Sequence, residues 1–166
     1  VSLFVISAPL KYTSDYTGEA QPSVFEDKFV NVVSEYVNGG GTVVVCGLAD
    51  YQDANSGLPY TSCEQANKLL EGMGSTMRIN DDELIDQDEN GGQPYRLYFD
   101  DFNYDSTDPA VQSILEGVAE SGLTYSSYSG CSVSVGEGEA IVYGHDTTYS
   151  INSKAPAQGH EKPVLS

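Results

Sequence analysis

The chain has no tryptophan, two histidines, three cysteines and only seven lysines plus arginines among its 166 residues. Each shortage excludes something. So few cations against 25 Asp plus Glu leave a formal charge of −18. A surface that negative repels phosphate backbones and anionic membranes, so direct nucleic-acid binding is disfavoured. No apolar run approaches the roughly 20 residues a spanning helix needs, so membrane insertion is not expected. The opening Val1-Ser2-Leu3-Phe4-Val5-Ile6 is too short for a signal peptide and lacks a basic flank. Cys46, Cys63 and Cys131 are too few for a disulfide scaffold. They admit one bridge plus one buried thiol, and no rule selects the pair. His145 and His160 stand alone and offer no zinc spacing.

What is present suffices for a folded core. Leu, Ile, Val and Phe make up 38 of the 166 residues, just above the composition at which chains stay disordered. They also cluster, as in Val43-Val44-Val45. The length suits one domain burying roughly two-thirds of its unfolded surface. The missing initiator Met, and the apolar Val164-Leu165 near the end, suggest that residues 1–166 are one α/β domain cut from a larger protein and short of a final strand.

Along the chain, Leu3 to Ser7 reads as a strand buried on both faces. Ser23 and Glu26 have capping-box spacing ahead of a helix with Phe25, Phe29, Val32, Val33 and Tyr36 on one face. Asn38-Gly39-Gly40-Gly41 ends it, and Thr42 to Cys46 is a second buried strand, expected to be parallel to the first. Thr61 and Glu64 open a second helix carrying Ala66, Leu69, Leu70 and Met73 to Gly74. Met77 to Ile79 is a short strand, and Tyr95 to Phe99 alternates like one. Asp108-Pro109 opens a third helix through Val111, Ile114, Leu115 and Val118, stopped by Gly122. Val133 and Val135 precede a hairpin-like turn at Gly136-Glu137-Gly138, Ala140 to Tyr143 is another strand, and Ala155 to Pro163 is loop-like. These readings predict a three-layer α/β sandwich on a mainly parallel sheet with a β-hairpin insertion.

Ligands of open α/β sheets bind beyond the C-terminal strand ends. That rule selects Ser7, Asp50, Tyr51, His145 and Asp146 as candidate ligand-binding residues, although polar residues follow most strands simply because the chain turns there. Cys46 with His145 is the candidate catalytic pair, the imidazole generating a thiolate. A cysteine inside a valine run is, however, more often a small buried hydrophobe. Asp86-Gln87-Asp88-Glu89-Asn90-Gly91 matches the first half of a calcium loop, with Asp86, Asp88 and Asn90 as candidate ligands. Its twelfth position is Leu97 rather than Glu, and acidic runs are usually solvated loops. Calcium is the one cofactor the sequence admits; otherwise none is expected. Ten of the 25 acids fall between Asp81 and Asp108. Of the twelve tyrosines, Tyr12, Tyr16, Tyr51, Tyr60, Tyr104, Tyr125, Tyr128 and Tyr149 lie in Ser/Gly/Asp/Asn-rich segments, as in adaptable recognition surfaces.

Four stretches carry a family resemblance: Phe4 to Pro9, Gly40 to Tyr51, Asn90-Gly91-Gly92-Gln93-Pro94-Tyr95-Arg96-Leu97-Tyr98, and Asp146-Thr147-Thr148-Tyr149-Ser150-Ile151-Asn152-Ser153. Together they resemble the glutamine-amidotransferase-like, flavodoxin-like domain of large secreted bacterial surface proteins, which also carry lamin-tail and endonuclease/exonuclease/phosphatase modules. That family's Gly-x-Cys-x-Gly elbow is absent, since Cys46 sits in Val44-Val45-Cys46-Gly47-Leu48. The resemblance therefore implies a non-catalytic accessory or recognition domain of an extracellular hydrolase that degrades DNA or nucleotides, secreted or attached to the cell wall. Its partners would be other domains of the same polypeptide. The alternative is a degenerate amidotransferase-like or other hydrolase using Cys46 and His145.

Overall fold

The computed structural model describes residues 3–7, 24–47, 62–152 and 155–158, the last segment and Asn152 as backbone only. The first unit is strand, helix, strand. β1 (Leu3–Ile6) and β2 (Thr42–Val45) pair in parallel, Ile6 opposite Val45, around α1 (Asp27–Asn38). Helix α1 begins after Glu26, which is its N-cap and makes no side-chain cap bond. The capping box expected from Ser23 and Glu26 therefore does not place Glu26 inside the first turn, and Ser23 lies outside the described residues. Ile6, Val30, Val33 and Leu69 form the core here, with Phe25, Phe29 and Val43 packed against it.

α2 (Ser62–Gly72) buries Cys63, Ala66, Leu69 and Leu70 at helical spacing. Cys63, Ala66 and Leu70 meet Ile79 and Cys131 in a second cluster, and Val45 and Met73 belong to the borders of both clusters. All three cysteines are free thiols; Cys63 and Cys131 are buried. Cys46 is exposed, contrary to the expectation of a buried small hydrophobe.

From residue 78 onward every described strand pair is antiparallel. β3 (Arg78–Ile79) pairs with β8 (Val133–Ser134). β4 (Glu83–Ile85) pairs with β10 (Tyr149–Asn152), which also pairs with β11 (Ala155–Gln158). β5 (Arg96–Phe99) pairs with β7 (Tyr125–Tyr128), and β6 (Asp101–Phe102) with β9 (Val142–Tyr143). The mainly parallel three-layer sandwich expected from sequence is thus not the fold: among the described strands only β1–β2 is a parallel pair. The expected hairpin insertion fails too. The turn at Gly136 to Gly138 exists, with the Gly138 amide donating to Val135 O at 2.8 Å. The strands beside it, β8 and β9, pair with β3 and β6 rather than with each other. The stretch from Ala155, read as a loop, enters β11.

α3 (Pro109–Ser121) follows its sequence signals closely. The Asp108 carboxylate accepts from the Ala110 and Val111 amides, and Gly122 closes the helix in the left-handed region at φ +61°. A third cluster, Leu84, Leu97, Phe99 and Val142, lies under β4, β5 and β9. Alternation along β5 sends Leu97 and Phe99 into this cluster and Arg96 and Tyr98 outward.

Candidate functional site

Two acids from the segment read as a solvated loop are buried at either end of β4. Asp82 accepts from the Ser132 amide at 2.8 Å, from Ser132 Oγ at 2.6 Å and from Ser150 Oγ at 2.5 Å. Asp86, fully buried, accepts through Oδ1 from the Asp88 and Glu89 amides and through Oδ2 from the Thr147 and Thr148 hydroxyls. Burial pushes its carboxyl up. The Glu89 amide, the Thr147 hydroxyl, the Asp88 amide and the Thr148 hydroxyl outweigh that and hold it below the ordinary value of 3.8. Asn90 is also committed: its Nδ2 donates to Asp86 O and its Oδ1 accepts from the Gly92 amide. The oxygens proposed as calcium ligands at Asp86 and Asn90 thus close the loop on itself, while Asp88 is exposed beside them. Among the described residues no group of three or more His, Cys, Asp or Glu is arranged to hold a metal ion.

His145 joins this loop from the turn after β9. Its amide donates to Thr148 Oγ1, and its ring packs on Phe99 at 5.3 Å between centroids. Nδ1 lies 3.9 Å from Asp86 Oδ2, and Nε2 lies 3.6 Å from Asp100 Oδ1. Glu89 Oε2 approaches Nδ1 to 3.1 Å without the alignment of a hydrogen bond. That buried nitrogen has no hydrogen-bond partner among the described residues. The imidazole therefore gathers three carboxylates and sets the acidic loop against the end of β5.

Of the residues chosen from sequence, the structure brings His145 and Asp86 together. It does not bring Cys46 to His145. The Cys46 amide ends the parallel pair by donating to Ile6 O, and its thiol raises the phenol of Tyr125, behind burial and the Cys131 thiol in effect. No described contact joins Ser7 or Cys46 to His145. Ser7 and Asp146 are exposed, and Asp50 and Tyr51 lie outside the described residues, as do Tyr12, Tyr16 and Tyr60.

Beside the His145 cluster lies a surface that strand-end reasoning missed. Arg96, Tyr98 and Asp100 form an exposed row along and just beyond β5. Across β7, Tyr128 faces Arg96 and Ser126 faces Tyr98. Tyr128 is 65% exposed and meets Tyr95 edge-on at 5.3 Å. A hydrogen bond with Tyr128 raises the Tyr95 phenol. The Arg96 guanidinium sits 5.7 Å from the Tyr98 ring centre. Gly91 lets the acidic loop lie against this face, since a Cβ there would come within 2.4 Å of the Tyr98 ring. The period-2 exposure of Arg96 and Tyr98 was readable from sequence; the pairing with Tyr128, 32 residues away across a helix, was not.

No protein-family model and no curated protein matches the chain. A solved structure described as the mmIFT52 N-terminal domain matches it with a TM-score of 0.58 at 18% identity, over 100% of this chain and 66% of that one. At that identity the likeness concerns fold alone, and this chain spans just under two-thirds of the other's length. It replaces the glutamine-amidotransferase-like, flavodoxin-like domain as the frame. The role as a nuclease-associated accessory domain of an extracellular hydrolase and the amidotransferase-like alternative, both implied by that resemblance, fall with it.

Proposed function

We propose that this chain is a protein-docking domain whose outward β5–β7 face receives a lysine- or arginine-rich segment of a partner protein. The observation that carries this reading is the exposed outward row of Arg96, Tyr98 and Asp100, with Tyr128 facing Arg96 across β7 and the carboxylates of Asp100 and Glu89 gathered at His145 beyond the end of that row. Aromatic faces attract cations by about 0.5–1 kcal/mol each at exposed sites. Carboxylates beside them add steering and register. Arg96 over Tyr98 is an internal example of the contact. The net charge of −18 favours a cationic partner at long range and opposes a second copy of the same chain.

Fluorescence anisotropy with a labelled, extended, arginine-rich peptide tests this. Replacing both Tyr98 and Tyr128 by Ala should weaken binding about tenfold, two cation–π contacts at about 1.4 kcal/mol per decade. Neutralising Glu116 and Glu120, exposed acids on α3, should change it less than twofold. Equal losses in both variants would mean unspecific attraction to a negative protein and would overturn the reading.

A further inference from the structure

Independently of the docking face, the outer edge of β3 is closed by side chains. The Asn80 amide donates to Ser132 O, which fixes the side from which this strand bonds to β8. By the alternation of an antiparallel pair, Met77 and Ile79 turn their amides and carbonyls the other way. Such a row is ordinarily a template for a further strand. Here all four groups are engaged. The Ile79 amide donates to Asn67 Oδ1 at 2.8 Å, and Asn67 Nδ2 donates back to Ile79 O at 2.9 Å. Cys63 Sγ donates to the same carbonyl at 2.9 Å. The Met77 amide donates to Ser75 Oγ at 3.2 Å, and Arg78 Nη1 donates to Met77 O at 2.7 Å.

A carboxamide carries a donor and an acceptor side by side, as a peptide group does. Asn67 therefore meets Ile79 as a residue of a neighbouring strand would. Nothing in α2 itself calls for Asn at this position, where Ala or Leu would form helix better. Cys63, one turn earlier on the same helix face, brings its thiol to the same carbonyl. Arg78 Nη1 also donates to Ser75 O at 2.7 Å and so holds the link between α2 and β3 along that edge.

We infer that Asn67, Ser75 and Arg78 form a built-in stop against strand addition at β3, and that what they exclude is a second copy of this chain. The net charge of −18 keeps copies apart at a distance. That repulsion is screened as the Debye length shrinks to about 3 Å in 1 M salt. The closed edge acts at contact and survives such screening.

Sedimentation velocity over a protein concentration series, in about 1 M NaCl to remove the charge barrier, tests the inference. The natural protein should hold one mass throughout. Asn67→Ala frees the Ile79 amide, and its mass should rise with concentration toward twice that of the monomer. In the associated form the Ile79 amide should again resist hydrogen exchange. Asn67→Asp keeps an acceptor for that amide but sets a charge against the edge. It should melt lower and stay monomeric. Ser75→Ala combined with Arg78→Ala opens the Met77 end at half-buried positions. This double variant should also associate, and it decides the matter if Asn67→Ala does not fold. Leu115→Ala, in the buried stripe of α3, lowers the melting temperature away from the edge and should leave the mass unchanged. Folded edge variants that stay monomeric, or a natural protein that associates as strongly as they do, would overturn the inference. So would association of Asn67→Asp or Leu115→Ala as strong as that of the edge variants, or an Ile79 amide left unprotected in the associated form.

Discussion

Asp86 shows how much one buried carboxylate organises. Its Oδ2 ties the start of the acidic loop to Thr147 and Thr148, 61 and 62 residues away, while Oδ1 holds the Asp88 and Glu89 amides. Asp86→Asn puts an amide where four donors converge, and the expected cost is about 3 kcal/mol. At about 2–4 °C per kcal/mol for a chain of this size, that is a fall in melting temperature of roughly 6–12 °C. The pH dependence follows from the direction of the shift. A carboxyl held below its ordinary 3.8 contributes stability that is fully present above the unfolded-state value and is lost as pH falls through the folded one. Melting temperature followed from pH 6 down to pH 3 should therefore drop more steeply in the natural protein than in Asp86→Asn. Parallel curves would remove Asp86 as the acid-sensitive group. Sequence alone could not assign this role, because the run from Asp81 to Asp108 looks the same whether its acids are solvated or held by distant hydroxyls. Only the Ser and Thr residues at 132, 147, 148 and 150 carried the signal, and nothing local linked them to it.

At the level of elements, legibility depended on how far the information had to travel. Asp108, Pro109 and Gly122 act within a few residues of themselves, and α3 begins and ends where they direct. Asp108→Ala removes the acceptor for two helix amides and should cost about 1 kcal/mol, read as a lower urea midpoint with an unchanged slope. A midpoint within error of the natural protein would show that the cap is redundant. The alternation of Leu97 and Phe99 with Tyr98 was equally readable, and β5 adopts it. Strand partners were not. Apolar runs at Leu3 to Ile6 and Val43 to Val45 implied a parallel sheet and are indeed the parallel pair. Extending that rule to β5, α3 and β7 fails, because those strands pair antiparallel across the helix. Strands of two to four residues carry too little pattern to specify direction.

For the whole molecule the deciding quantity is the imbalance of 25 acids against seven cations. Among the described residues, Lys68 with Asp27 is an exposed pair at 2.7 Å, too solvated to offset that imbalance. Screening should therefore stabilise the fold. Raising NaCl from about 0.01 M to 0.15 M shortens the Debye length from about 30 to 8 Å. The melting temperature should rise by several degrees, and a fall would mean that net repulsion is not what limits stability. The same field favours the cationic segment of the proposed docking role, which would be drawn both to the molecule at large and to the β5–β7 face that carries Tyr98 and Tyr128.

Docking at that face is tested most directly by amide chemical-shift mapping, titrating the 15N-labelled protein with an arginine-rich peptide at 0.15 M salt. The account predicts saturable shifts concentrated at Gly91, Arg96 to Asp100 and Tyr125 to Tyr128, with α3 from Pro109 to Ser121 unmoved. Shifts spread over every acidic surface, or concentrated away from β5 and β7, would contradict it.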